Sequence, residues 1–380
     1  MASALMRAIK RNVVSHLFIA STVLTSGAII NVIQMLLHVL VKPVSKKWFH
    51  KLMYYVSWTW LAQCIFIVDY WSKTEVIIYC KKDVFDRLGK EHHFTLMNHG
   101  YEIDWLIGWL VIDKFGCLGN ARGFVKSVIK YIPIAGWFFG FAEHVFLQRS
   151  FDKDKAVIEE RLSDFLQYPD SSWMVMTAEG TRLTKEKHDA SVRFAMERNL
   201  IPLKHHLIPR AKGFITCVPI LKRYKNLSVL NLQLAFDKNA NVEPTLANLL
   251  RGEKVVAHVY IDVVPINDVK PTNECLQEIY QFKDDLQESF YKFGNFYEGR
   301  NEKKIEGIRM KPRLCVLVNT IFWFGLNLAF MGYYATNLIL AGRFVLLLSI
   351  SSGVIALFYI MMQNIIRHSK VTKGSQYGKK

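Results

Sequence analysis

Residues 13–41 contain no Asp, Glu, Lys or Arg, and such a run is longer than the roughly 20 residues a helix needs to cross a bilayer. In hydrocarbon every backbone N–H and C=O must find a partner within the segment, which makes this stretch a helix before any other argument is made. A cleavable leader would have a shorter apolar core followed by a small-residue cleavage site, so an uncleaved anchor is expected. A second block, residues 52–71, is rich in aromatics (Tyr54, Tyr55, Trp58, Trp60, Phe66, Tyr70, Trp71) but carries Gln63 and Asp69. Aromatic side chains gather at the membrane–water boundary, so an interfacial or re-entrant helix is expected there. Two further apolar blocks, 314–334 and 344–360, are joined by a short linker containing Gly342 and Arg343, which predicts an antiparallel hairpin of spans. These blocks explain a hydrophobic content of 51% and a mean hydropathy of +0.13 in a chain that is still 21% charged.

The formal net charge of +17 calls for an anionic partner: a membrane surface, a phosphorylated substrate or nucleic acid. Nucleic acid is the weakest of the three, because no nucleic-acid motif accompanies the charge. Basic residues flank the C-terminal blocks on both sides, Arg300, Lys303, Lys304, Arg309, Lys311 and Arg313 before them and Arg367, Lys370, Lys373, Lys379 and Lys380 after. The positive-inside rule then puts the middle of the chain and its C-terminus together in the cytosol. The six cysteines are scattered without a CxxC pair, which argues against a zinc site or a disulfide framework.

Between the apolar ends, residues 72–300 alternate between two periodicities. Strand-like runs occur at 75–80, 94–97, 173–177, 232–236 and 255–264, and helical spacing at 154–166, 186–197 and 275–293. That alternation predicts an α/β domain with one main sheet flanked by helices. Lys126 is expected on a helix that the Pro133 and Gly136 pair then breaks.

The most reactive residues in this domain stand between two apolar runs. His99 lies five residues before Asp104, an arrangement for a general base and the carboxylate that orients it. On a regular helix five residues turn through about 500°, so the two side chains meet only if a turn separates them. Asp104 suits the first turn of the following helix, and Gly100 eases the turn. The second group is Glu179-Gly180-Thr181-Arg182, directly after an apolar strand. An arginine beside a glycine turn is equipped to grip a phosphate or carboxylate. Lys126 and Arg149, the latter ending the run Val145-Phe146-Leu147-Gln148-Arg149, are further candidate cations, and residues 207–214 form a proline-bounded basic block. The adjacent pairs His92-His93 and His205-His206 point in divergent directions without supporting ligands, so they read as surface or packing residues and no metal site is expected.

The blocks His99-x4-Asp104, Phe146-x-x-Arg149, Glu179-Gly-Thr-Arg182 and Pro209-Arg210-x-Lys212-Gly213-Phe214 come in the order found in glycerolipid acyltransferases. The chain resembles the gamma/delta branch of the 1-acylglycerol-3-phosphate (lysophosphatidic acid) acyltransferases over nearly its whole length. The resemblance implies membrane-anchoring helices over 1–71, an acyltransferase domain over 72–300, a transmembrane hairpin over 301–366 and a basic tail over 367–380. It implies acyl transfer from acyl-CoA, a co-substrate rather than a bound cofactor, to the sn-2 hydroxyl of lysophosphatidic acid. His99 would be the base and Asp104 its partner. Arg182 would hold the substrate phosphate, with Arg149 and Lys126 as second candidates and Glu179 positioning that arginine or a substrate hydroxyl. The lipid bilayer of the endoplasmic reticulum would be its setting. Remodelling of lysophosphatidylinositol or lysocardiolipin, or CoA-independent transacylation, stays open as the alternative. A serine hydrolase is disfavoured, because Gly-x-Ser-x-Gly is absent.

Overall fold

Eight strands build one sheet in the computed structural model, which describes residues 2–148, 150–224, 227–300 and 303–346, and a few short stretches from there to 360. They are β1 (Glu75–Tyr79), β2 (His92–Met97), β3 (Ala121–Lys126), β4 (Val145–Leu147), β5 (Trp173–Met176), β6 (Leu227–Ala235), β7 (Val256–Pro265) and β8 (Ile308–Arg309). Their spatial order is β4-β3-β5-β2-β6-β7-β1-β8. The first five in that order are mutually parallel, β7 is antiparallel to β6, β1 is parallel to β7, and β8 is antiparallel to β1. The expected α/β domain with one main sheet is therefore present, and the sheet is mixed. Every residue of β2 is buried, as a central parallel strand covered on both faces must be. His92 and His93 lie inside it, with His93 Nδ1 3.0 Å from Ser228 Oγ, so both are packing residues.

Twelve helices surround this sheet among the described residues. In chain order they are α1 (Ala2–Arg11), α2 (Val13–Leu36), α3 (Lys46–Phe66), α4 (Lys82–Arg87), α5 (Asp104–Lys114) and α6 (Ala135–Phe141). There follow α7 (Phe151–Phe165), α8 (Lys185–Glu197), α9 (Ala211–Leu221), α10 (Leu246–Leu250), α11 (Asn273–Phe293) and α12 (Leu314–Leu340). Two local expectations need correction. Lys126 ends strand β3 instead of sitting on a helix, because residues 121–126 pair with β5 and β4 before a short 3-10 turn begins. The apolar block expected to stop at 334 continues as helix to Leu340, since nothing between them breaks the helix before Gly342 takes its positive φ of 68°. Of the second C-terminal block only part lies within the described residues, and the basic tail lies outside them.

The apolar stretch Val13–Val41 and α12 are each long and apolar enough to cross a membrane by length and composition. They pack with α3 through polar groups as well as apolar ones. Asn327 Nδ2 donates to Ser21 Oγ (3.1 Å) and Thr22 Oγ1 (3.0 Å), Gln63 Nε2 to Ser26 Oγ (2.9 Å), and Trp323 Nε1 to Thr59 Oγ1 (3.0 Å). Apolar helices in apolar surroundings gain little from burial against each other, so such bonds and close packing set their register. Both ends of the first apolar stretch touch the sheet domain. At its start Arg11 pairs with Glu253 (2.7 Å), and at its finish Lys42 pairs with Glu143 (2.7 Å). The stretch therefore lies along that domain.

Glu143 is the centre of the second contact. Its carboxylate, 3% exposed, also meets His50 Nε2 (3.2 Å), the Tyr168 hydroxyl (2.9 Å) and Arg161 (3.8 Å). Burial works against its charge, and His50 and Lys42 outweigh burial and hold the carboxyl well below the usual range. Removing one partner from a buried ion pair costs about 3 kcal/mol or more, because the remaining charges are left uncompensated. Glu143→Ala is expected to lower unfolding stability of the detergent-solubilised chain by about that amount. Denaturant titration checks it, and a change near zero would show that the cluster does not hold the anchor helices.

Candidate active site

The chain leaves the sheet after Met97, and the next residues decide where His99 stands. Asn98 continues the strand with its side chain: Leu234 N–H donates to Asn98 Oδ1 (2.8 Å) and Asn98 Nδ2 donates to Leu234 O (3.0 Å). The backbone then turns, and α5 begins at Asp104. The turn brings the side chains together as the spacing requires, with His99 Nδ1 2.7 Å from Asp104 Oδ2. The Tyr101 N–H donates to the same oxygen (3.2 Å). Gly100 turns out not to be needed for its backbone, since its φ is not positive and a Cβ there would meet nothing within 4 Å.

A carboxylate at Nδ1 makes that nitrogen the donor and leaves the Nε2 lone pair as the basic site. Asp104 is 1% exposed at a helix N-terminus, where a negative charge is favoured, whereas the His99 side chain is 29% exposed and accessible from outside. Burial disfavours the imidazolium, but the Asp104 charge and hydrogen bond, with help from Glu179, outweigh it and raise the His99 pKa above the ordinary histidine value. Arg182 pushes the other way, which places its guanidinium within electrostatic reach of the imidazole.

The second block arrives on the neighbouring strand. β5 runs parallel to β2, with Met176 opposite Leu96, so the two chains leave the sheet side by side. Gly180 takes a φ of +69°, and a Cβ there would stand 3.1 Å from Arg210 Cδ. Glycine thus lets the Arg210 side chain cross the turn. The Leu183 N–H donates to His99 O (2.9 Å), and Glu179 Oε1 accepts from the His99 N–H (2.9 Å). Glu179 Oε2 accepts from the Leu207 N–H (3.3 Å), and the residue is 2% exposed. Each of its oxygens thus accepts one backbone N–H, which ties the His99 loop to the segment before α9. Thr181 Oγ1 and Arg182 O both accept from Lys187 Nζ (2.7 and 3.2 Å), which ties the turn to α8.

His99, Asp104, Glu179, Gly180, Thr181 and Arg182 are thus one constellation at the carboxyl ends of parallel strands, the usual place for a site in such a sheet. Lys126 is exposed at the same end, but on β3, two strands and about 10 Å from β2 in the sheet plane. Arg149 lies outside the described residues. Arg210 belongs to the site although its basic block alone assigned it no part. Asn98, directly before the histidine, carried a signal that a side-chain cap was available.

Two family models match the chain, Acyltransferase over residues 78–219 and Acyltransferase C-terminus over residues 248–323. Among curated proteins, the 1-acyl-sn-glycerol-3-phosphate acyltransferase delta of Bos taurus is 33% identical over 376 residues, covering 97% of this chain and 96% of that one. The delta protein of Homo sapiens is 33% identical over 378 residues, and the gamma protein of Homo sapiens 31% identical over 376, each again with 97% and 96% coverage. A solved structure, the 1-acyl-sn-glycerophosphate acyltransferase of Thermotoga maritima, aligns with 73% of this chain and 95% of its own at a TM-score of 0.44 and 13% identity. The chain belongs to the 1-acyl-sn-glycerol-3-phosphate acyltransferase family.

Because Asp104 supplies the main opposition to burial at His99, Asp104→Asn is expected to drop the imidazole pKa below the ordinary value of about 6.5. An NMR titration of the ring reads this directly. A titration that does not move would mean the carboxylate is not what raises it.

Proposed function

We propose that this acyltransferase moves an acyl group from acyl-CoA to the sn-2 hydroxyl of lysophosphatidic acid, giving phosphatidic acid, with His99 as general base. The observation that supports it most is the 2.7 Å bond from His99 Nδ1 to a buried Asp104, which leaves Nε2 as the proton acceptor on a partly exposed ring. The acceptor and product follow the names of the delta and gamma relatives. As the hydroxyl oxygen attacks the thioester carbonyl, its proton passes to Nε2, and Asp104 stabilises the imidazolium and keeps its tautomer. Collapse of the tetrahedral adduct breaks the carbon–sulfur bond, and the proton goes on to the departing CoA sulfur. The thioester is already activated, so no covalent enzyme intermediate is needed.

Arg182, assisted by Arg210 across Gly180, would hold the phosphate of the acceptor, a task suited to the fixed fork of guanidinium. Lys126 and Arg149 remain second candidates for that charge. Glu179 serves through the backbone of His99. The apolar stretch Val13–Val41 and α12 would place the domain at a membrane, as suits an enzyme whose acceptor and product are amphiphilic lipids, and that membrane is proposed to be the endoplasmic reticulum.

Acyl transfer from labelled acyl-CoA to a panel of lysophospholipids tests this reading. His99→Ala is expected to lower kcat by about a thousandfold with the protein still folded, within the range of general-base losses. Arg182→Ala is expected to raise KM for lysophosphatidate by about tenfold or more, the loss of one charge-assisted contact. Full transfer by folded His99→Ala overturns the mechanism. Transfer to lysophosphatidylinositol or lysocardiolipin with none to lysophosphatidate overturns the acceptor.

A further inference from the structure

We propose that Lys283, on α11, is a positioning residue for the His99 base: its side-chain nitrogen holds a carbonyl near the end of β2 and another on the adjoining β6, and so sets the place of the His99 loop. The proposal rests on the reading of His99 as the base. Lys283 is fully buried, which is rare for a lysine because the ammonium loses its hydration. Its Nζ donates to Leu96 O (3.0 Å) and to Leu232 O (2.6 Å). These carbonyls belong to β2 and β6, which are parallel neighbours with Leu96 opposite Asn231 and Met97 opposite Leu232. Lys283 therefore joins the two strands just where β2 leaves the sheet, one residue before Met97 and three before His99. It reaches that point from 187 residues further along the chain.

The lysine also acts from a second direction. Glu179, whose carboxylate accepts the His99 N–H, is the charge that favours the Lys283 ammonium against burial. Burial, only partly opposed by Glu179, lowers Lys283 to about 7. A lysine that only filled space would gain from being apolar, since a buried charge costs several kcal/mol unless its bonds are well made. Here both bonds are made to backbone carbonyls, one of them on the strand that runs directly into the His99 loop.

The neighbours of Lys283 on α11 have the same orientation. Asp284 accepts from the N–H groups of Lys204 and His205 (2.7 Å each) and meets His206 Nδ1 (3.0 Å), fixing the turn that delivers the Leu207 N–H to Glu179. Gln287 Oε1 accepts from Gln233 on β6 (2.7 Å), and the Tyr291 and Tyr101 hydroxyls are 2.9 Å apart. Positions 280, 283, 284, 287 and 291 fall on one face at helical spacing, and that face underlies the loop. A helix that begins only at Asn273, far from His99 in sequence, thus supports the loop from below.

The test uses the full chain in detergent or vesicles. Lys283→Met keeps the volume and removes the donor. It is expected to lower kcat at least tenfold, the scale of a small misplacement of a reacting group, with both KM values within about twofold of wild type. It should also move the acid limb of kcat/KM to lower pH, because a loosened loop pairs less well with Asp104. Wild-type kcat and an unmoved acid limb, with only thermal stability reduced, overturn the proposal. If Lys283→Met does not fold, Lys283→Gln keeps one donor and is expected to show a smaller change in the same direction; Lys283→Gln at wild-type kcat with lowered stability overturns it. Should the wild-type enzyme transfer no acyl group at all, NMR titration of the His99 ring still decides. A ring pKa lowered in the variant supports the positioning role, and an unchanged one overturns it.

Discussion

The 2.7 Å contact between His99 Nδ1 and Asp104 is the interaction to which the rest of the structure is fitted. Its two residues are five apart and belong to no common element, so their meeting depends on how the chain is held on either side. Upstream, Asn98 copies a strand hydrogen-bond pattern onto Leu234 after β2 has ended. The His99 backbone is then clamped from both of its polar groups, N–H to Glu179 and C=O from Leu183. For the proposed base such prior placement matters, because orientation is costly to arrange during a reaction.

Downstream, α5 carries Asp104 at its first residue and is fixed at its last turn by the helices of the apolar ends. Asp113 accepts from Trp58 Nε1 (3.0 Å) and pairs with Arg313 (2.9 Å), and Lys114 pairs with Asp69. Three elements from opposite ends of the chain, α3, the turn after it and the start of α12, thus meet on the helix that begins with Asp104. The packing of the apolar helices and the place of the His99–Asp104 pair are linked through the same eleven-residue rod.

How much of this was legible in the sequence varies with the range of the interaction. His99 and Asp104 were legible, because their chemistry is local and their spacing excludes a plain helix. The strands at 75–80, 173–177 and 255–264 were legible from β-branched and aromatic runs. Strand β3 was not: Ala121, Arg122 and Gly123 have weak strand preference, and only pairing with β5 and β4 makes them a strand. The backbone partners of Glu179 were not legible, since the N–H groups it accepts from lie 80 and 28 residues away. Lys283 gave no signal at all. A lysine on a helix is by default a solvated residue, and its burial follows from how α11 packs over β2 and β6, which no local pattern records.

The use of buried charge in this protein follows from where its apolar surface lies. The outward faces of the first apolar stretch and α12 remain exposed, with Val39 at 63% and Phe322 at 60%, so hydrophobic burial between the helices and the sheet domain is limited. If those faces meet lipid, apolar contact alone cannot specify register, because a slipped helix would be equally comfortable. Glu143 with Lys42 and His50 at one place, and Asp113 with Arg313 at another, supply what apolar contact cannot, since a slip would strand a charge in the interior. Lys283 applies the same rule at the sheet. A charge that is expensive to misplace thus marks the contacts of the apolar helices and the strand that leads into the His99 loop.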